Sequence, residues 1–328
     1  MKIFFYALRE FDELDYCKKF SKTFGIEFDY SVEYPSYKNI ELARNCDAVS
    51  MTPCDMSAHL VEAFHQAGVK YITCRSIGFD HVDREKAKEL GMKVSNVTYP
   101  PDGVANYAIM LMMVCARKFA HILKRVEIQD YSLKNKLGRD ISNCTIGVIG
   151  TGKIGATVIR HLSGFGCEIL AYDPYENESV KQYARYVTLE ELYEQADIIT
   201  LHTNANETNH HLICKESLEK MKDGIMIINT ARGTLIDSAD LIDAIESGKV
   251  GSAGLDVMEN ENGLYYYNHI GDVMENRELA VLRTFPNVVL SPHTAFYTKI
   301  DVSDMVKGCF ESTKAFAEGE ETVHDVSL

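Results

Sequence analysis

The sequence predicts an α/β protein of two Rossmann-like or flavodoxin-like domains, each built on a parallel sheet. Three observations carry this. The chain has 328 residues, enough for two domains with buried cores. Short β-rich runs alternate with helical stretches along its length, the pattern of strand–helix–strand units. A G-x-G-x-x-G run, Gly150-Thr-Gly152-Lys-Ile-Gly155, stands between a candidate strand and a candidate helix.

In the first hundred residues, strands are expected at Lys2–Leu8, Asp47–Met51, Tyr71–Cys74 and Lys93–Val97. Amphipathic pieces at Ser57–Ala67 and Arg84–Leu90 lie between them. Each is followed by a glycine, Gly68 or Gly91, which leaves a helix in the left-handed conformation without steric cost. Tyr99-Pro-Pro-Asp-Gly103 is the strongest local break, because neither proline donates a backbone hydrogen bond and each pushes its predecessor toward extended geometry. A domain crossing is placed there.

A helical pattern runs from Val104 to Lys124, and its apolar run Tyr107–Ala116 is too short to span a bilayer. Further strands are expected at Thr145–Ile149, Glu168–Tyr172, Ile198–Leu201, Ile225–Asn229, Gly251–Asp256 and Val288–Ser291, with a last helix at Lys299–Glu318. The predicted split is 1–100 plus 297–328 for a substrate domain and 101–296 for a dinucleotide-binding domain, with the active site in the cleft between them.

Composition narrows the function. With 34 Lys+Arg against 48 Asp+Glu, the net charge of −14 repels phosphate backbones and anionic lipid, so neither nucleic acid nor membrane is expected as a partner. Nine scattered cysteines without a C-x-x-C pair read as reduced thiols of a cytoplasmic protein. The adjacent His210-His211 pair lacks the spacing of a metal site along the chain, and no metal is expected. A small-molecule enzyme is the leading class.

The glycine run has a mechanism. Gly150 permits a tight turn, Gly152 lets the backbone approach a pyrophosphate, and Gly155 lets helix and strand pack closely, while the helix N-terminus offers N–H groups to the anion. Asp173 closes the next strand 18 residues beyond Gly155, the spacing of a ribose-binding carboxylate. Its charge would repel a 2′-phosphate, so NAD is expected over NADP.

Three further segments place polar residues just beyond strand ends: Asn229-Thr-Ala-Arg232, Asp256-Val-Met-Glu259-Asn-Glu261 and Ser291-Pro-His293-Thr-Ala-Phe296-Tyr297. With the glycine run, they resemble the D-2-hydroxyacid dehydrogenase family, and within it the D-lactate dehydrogenase branch. Arg75-Ser-Ile-Gly78-Phe-Asp80 resembles the family's substrate loop, and Tyr99-Pro-Pro-Asp its domain crossing. The chain departs from the family's usual Val-Pro at Thr203-Asn204, and from its usual residues early in the crossing helix at Asn106-Tyr107.

The resemblance implies NADH-dependent, reversible reduction of a 2-keto acid to the (R)-2-hydroxy acid by a homodimer. Pyruvate to D-lactate is the first expectation, and a bulkier keto acid such as 2-ketoisocaproate or phenylpyruvate the second. An NAD-sensing, corepressor-like binding protein is the remote alternative. By the same resemblance, Arg232 anchors the substrate carboxylate, a task suited to its planar guanidinium. His293 is the acid/base, because imidazole titrates near neutrality. On the residues alone, Glu259 or Glu261 could partner that histidine; the family's spacing, five beyond Asp256, favours Glu261. Ile77 and Gly78 are implied to receive the substrate carboxylate, and Tyr99, Phe296 and Tyr297 to line its pocket. Implied cofactor contacts are Gly150, Gly152, Lys153, Ile154, Gly155, Asp173, Thr203, Asn204, Asn209, Thr230, Ala231, Arg232 and Asp256. The apolar run Tyr107–Ala116 is expected to be buried against a second subunit.

Overall fold

Two sets of parallel strands organise the chain. The computed structural model describes Met1–Leu328, which fall into one unit of Met1–Pro100 with Tyr297–Leu328 and another of Pro101–Phe296.

The first unit runs β1 (Lys2–Phe5), α1 (Leu14–Phe24), β2 (Glu27–Tyr30), β3 (Ala48–Met51), α2 (Ala58–Gln66), β4 (Tyr71–Cys74), α3 (Arg84–Glu89) and β5 (Lys93–Ser95). All pairings are parallel, in the order β2-β1-β3-β4-β5. Phe4, Val49, Met51 and Ile72 meet Leu60, Val61 and Phe64 of α2 in the core of one face. On β1, Phe5 points the other way, toward Phe310 of the C-terminal helix Lys299–Glu318, with ring centroids 5.5 Å apart. Phe24 of α1 stacks on the same Phe310 ring. These contacts return the C-terminal helix to the first unit, and truncating the fully buried Phe310 to alanine would cost about 3–5 kcal/mol.

β2 was not anticipated. Its residues Glu-Phe-Asp-Tyr are mostly exposed, so the edge strand carries no apolar run. The expected strands Lys2–Leu8 and Lys93–Val97 are shorter in the fold, although Tyr6 N–H still donates to Ser50 O and Val97 N–H to Ser76 O.

The second unit contains α4 (Asp102–Ala116), α5 (Phe119–Glu127), β6 (Thr145–Ile149), α6 (Lys153–Leu162), β7 (Glu168–Tyr172), β8 (Arg185–Tyr186), α7 (Leu189–Gln195), β9 (Ile198–Leu201), α8 (Lys215–Lys220), β10 (Ile225–Asn229), α9 (Ser238–Glu246), β11 (Val250–Leu255), α10 (Arg277–Leu282) and β12 (Val288–Leu290). The parallel sheet has the order β12-β11-β10-β9-β6-β7-β8. Its strands read as continuous apolar runs because both faces are covered: α4 and α6 share one core with Val148 and Ile228, while α7, α8 and α9 share the other with Ile149 and Ile227. Strand order reverses between β6 and β9, and the crevice beyond their carboxyl ends is where such sheets bind ligands.

Two expectations for the helical stretch after Val104 need correction. It is two helices, broken where Lys118 adopts φ 50°. The run Tyr107–Ala116 is buried mainly within its own unit, against α6, β10 and β11, leaving Met110 and Met113 exposed. α5 buries none of its residues.

Candidate active site

The glycine loop sits at the switch point. Gly150 has φ 94°, and a Cβ there would stand 2.5 Å from His202 O at the end of β9, so only glycine closes this turn. Gly152 begins α6 with no side-chain cap, and a Cβ on it would meet nothing within 4 Å. The backbone at Gly152 is therefore uncrowded at the start of the helix, where a pyrophosphate would approach.

Asp173 Oδ2 accepts from Thr151 N–H at 2.7 Å, and its Oδ1 from Tyr175 N–H at 2.9 Å. The carboxylate thus ties the end of β7 to the glycine loop. Tyr186 donates to Thr151 Oγ1 (2.8 Å) and Asn177 Nδ2 to Thr151 O (2.9 Å), two supports that motif spacing could not reveal. Beyond β9, Asn209 Nδ2 donates to Asn204 O at 2.6 Å, shaping the Thr203–Asn209 loop from within. At the tip of β10, Thr230 Oγ1 is buried without a hydrogen-bond partner. A buried hydroxyl left unsatisfied at the carboxyl end of a strand fits a site that a polar cofactor completes.

His202 follows β9, with Nε2 2.9 Å from Thr200 Oγ1. Desolvation in this packed position lowers its pKa from 6.5 to about 3, so the ring stays neutral.

Arg232 lies just beyond β10, half-buried, its loop held by Asn229. The Asn229 Oδ1 accepts from Ala231 N–H (2.9 Å) and its Nδ2 donates to Arg232 O (2.8 Å). Next to it, a Cβ on Gly233 would come within 2.0 Å of Met258 C, so glycine is what lets the arginine loop lie against the loop after β11.

That loop carries Glu261. His293 Nδ1 stands 2.6 Å from Glu261 Oε1, while Glu261 Oε2 accepts from Met258 N–H at 3.0 Å. The ionised carboxylate can only accept, so Nδ1 carries the proton and Nε2 is the nitrogen left for other chemistry. Glu259 does not partner this histidine; it lies against His211, 2.7 Å away.

His293 itself has φ 53°, rare for a residue with a Cβ. The backbone is held there by hydrogen bonds from His293 N–H to Asp256 O (2.7 Å) and Ser291 O. The fully buried Asp256 carboxylate accepts from Ser291 Oγ (2.6 Å), Thr294 N–H (2.9 Å) and Ala295 N–H (2.8 Å). Asp256 therefore clamps the turn on which His293 is mounted, a task that its place at a strand end did not disclose. Tyr107 Oη, 3.1 Å from Thr294 Oγ1, attaches the same turn to α4. Around the imidazole stand Tyr266 and Phe296, with ring centroids 6.2 and 6.3 Å away.

Ile77, Gly78, Tyr99 and Tyr297 belong to the first unit. Asn96 Nδ2 donates to Ile77 O (2.8 Å) and Ser76 Oγ to Gly78 O (2.6 Å), which fixes both peptide units. Beneath them Arg75 is completely buried, paired with Glu13 at 3.1 Å and bonded to Tyr6 O, Ala7 O and Ser50 Oγ. It anchors the strand tips instead of facing a ligand. Tyr297 donates to Asp12, and Arg9 lies over its ring.

Residues 109–295 match the family model of the NAD-binding domain of D-isomer specific 2-hydroxyacid dehydrogenases. The chain belongs to this family. It is an NAD-dependent oxidoreductase acting between 2-keto acids and D-2-hydroxy acids. The chain is 42% identical to an aromatic 2-oxoacid reductase of Clostridium sporogenes over 94% of its length and 93% of that protein's. It superposes on D-2-hydroxyisocaproate dehydrogenase with a TM-score of 0.88 at 32% identity, covering all of both chains. A D-lactate dehydrogenase with NAD⁺ from Lactobacillus jensenii gives 0.85 at 31% identity, again over both full chains. No helix is long and apolar enough to cross a membrane.

Proposed function

We propose that His293, Glu261 and Arg232 carry out the reduction, and that the preferred substrate is a 2-keto acid with a bulky apolar or aromatic side chain. The observation that carries the chemistry is the 2.6 Å contact between His293 Nδ1 and Glu261 Oε1. Bound NADH supplies the hydride. As hydride reaches the keto carbon, negative charge grows on the keto oxygen, and His293 Nε2 delivers the proton that completes the alcohol. Glu261 holds the ring in the tautomer and orientation this needs. In the oxidation direction the same nitrogen takes the proton back. Arg232 grips the substrate carboxylate through paired, charge-assisted hydrogen bonds. Asp173 accepts from the adenosine ribose and repels a 2′-phosphate. Asp256 serves chiefly as the clamp on the His293 turn.

Two observations favour the bulky side chain over pyruvate. Tyr266 and Phe296 flank the imidazole, and the aromatic 2-oxoacid reductase is a nearer relative, at 42% identity, than the D-lactate dehydrogenase of Escherichia coli at 36%. Initial rates of NADH oxidation with pyruvate, 2-ketobutyrate, 2-ketoisocaproate, phenylpyruvate and oxaloacetate test this. Phenylpyruvate or 2-ketoisocaproate should exceed pyruvate in kcat/KM; the reverse order would restore D-lactate as the product.

We further infer a cytoplasmic homodimer. Met110, Met113, Phe119, Leu123 and Val126 leave large apolar side chains exposed on the consecutive helices α4 and α5, a surface that a second copy would cover.

A further inference from the structure

Outside the His293 constellation, the second unit gathers a group of side chains that has no part in the hydride reaction. His211 Nε2 lies 2.7 Å from Glu259 Oε1, and Nδ1 of the same ring lies 3.2 Å from Asp237 Oδ2. The His210 ring leans on the His211 ring with centroids 3.9 Å apart. One ligand atom from each of His210, His211 and Glu259 falls within a set no wider than 4.8 Å. Adjacent histidines along the chain gave no sign of this, because the third member comes from a loop 48 residues away.

We propose that His210, His211 and Glu259 form a binding site for a divalent transition-metal ion, with zinc its best occupant. The donor set is two imidazole nitrogens and one carboxylate oxygen, which suits zinc and its neighbours and not the hard, all-oxygen preference of magnesium or calcium. Asp237 supplies the second, independent observation. Metal-binding histidines as a rule donate their other ring N–H to a carboxylate, which fixes the tautomer and aims the free nitrogen. Asp237 stands at His211 Nδ1 in that way, aiming Nε2 at Glu259. Glu259 is oriented in turn, since its Oε2 accepts from Ser238 N–H at 2.9 Å and only Oε1 is offered. The site is reachable from solvent, with His210 exposed and the His211 and Glu259 side chains 31% and 20% exposed.

The ion takes the place of the proton shared by His211 Nε2 and Glu259 Oε1, and that proton passes to solvent. Zinc bonds of about 2.0–2.1 Å at a tetrahedral angle put neighbouring ligand atoms about 3.3 Å apart. Nε2 and Oε1 therefore open by about 0.6 Å, and the exposed His210 ring turns in to complete the trio; water fills the fourth position. An ion held here would staple the cofactor-side loop ending at His211 to the loop that carries Glu261.

Calorimetric titration of zinc chloride into the untagged, full-length protein tests the proposal. One ion per chain is expected, with affinity reduced at least about tenfold in His210→Gln and in Glu259→Gln. His210 is exposed, so its variant keeps the fold even if others do not. Cobalt(II) loading gives a second readout: the visible spectrum of a four-coordinate site without thiolate charge transfer. Failure to saturate near one ion per chain would overturn the site. So would a loss of less than tenfold in His210→Gln, or a charge-transfer band assigning the ion to a cysteine.

Discussion

His293 Nδ1 meets Glu261 Oε1 at 2.6 Å, although the two residues are 32 positions apart and stand on different loops. Each loop is fixed independently: Glu261 by Met258 N–H, and the His293 turn by three donors converging on the Asp256 carboxylate. With both loops held by their own hydrogen bonds, acid and orienting carboxylate stand in register, and the reaction barrier carries no entropy of bringing them together.

Replacing Glu261 by glutamine keeps the shape but puts an amide, which can donate as well as accept, opposite His293 Nδ1, so the ring is no longer held in one tautomer. The kcat for keto-acid reduction should fall by at least about tenfold while NADH still binds, as expected when the group that orients a catalytic histidine is changed. Steady-state rates and NADH binding in wild type and variant check this. An unchanged kcat would remove Glu261 from the positioning of His293.

Asp173→Ala should narrow the preference for NADH over NADPH, since the charge that repels a 2′-phosphate is gone. It should also weaken NADH binding, because Thr151 N–H loses its acceptor. The measurement is kcat/KM for both cofactors at saturating keto acid. An unchanged ratio would remove Asp173 from cofactor selection.

His202 links stability to pH. Its pKa is about 3 in the fold against 6.5 unperturbed, so between these values the unfolded chain binds a proton that the folded chain does not. Stability is fully present above pH 6.5 and drains as pH falls toward 3. Going from about pH 7.5 to about pH 5.5, this group alone costs about 1.4 kcal/mol. Denaturant midpoints of wild type and His202→Gln at the two pH values should show a smaller acid-induced drop in the variant. Equal drops would show that His202 charges in the fold.

Much of the fold can be read along the chain because its strands are buried on both faces and spelled by apolar runs such as Ile225-Met-Ile-Ile-Asn229. The glycine loop and Asp173 are equally legible, since local geometry dictates both spacing and residue type. β2 and β8 are not. The first is mostly exposed and the second has two residues, so neither leaves a hydrophobic signature. The break at Lys118 escaped because no glycine or proline marks it. Within the site, the candidate residues could be named, but their supports could not. Asn229 beneath Arg232, Asp256 beneath the His293 turn, and Glu259 against His211 are tertiary contacts, invisible to spacing. Arg75 shows the opposite limit: it belongs to a ligand-loop motif, yet the fold buries it as a strand-tip anchor.

The most direct test of the His293 assignment is turnover by His293→Ala, assayed with phenylpyruvate and with pyruvate, alongside NADH binding followed by nicotinamide fluorescence. NADH should bind as in the wild type while kcat falls by about 10²–10⁴, the usual contribution of a positioned general acid. Turnover within about tenfold of wild type, roughly 1.4 kcal/mol of barrier, would contradict the assignment of His293 as the proton donor.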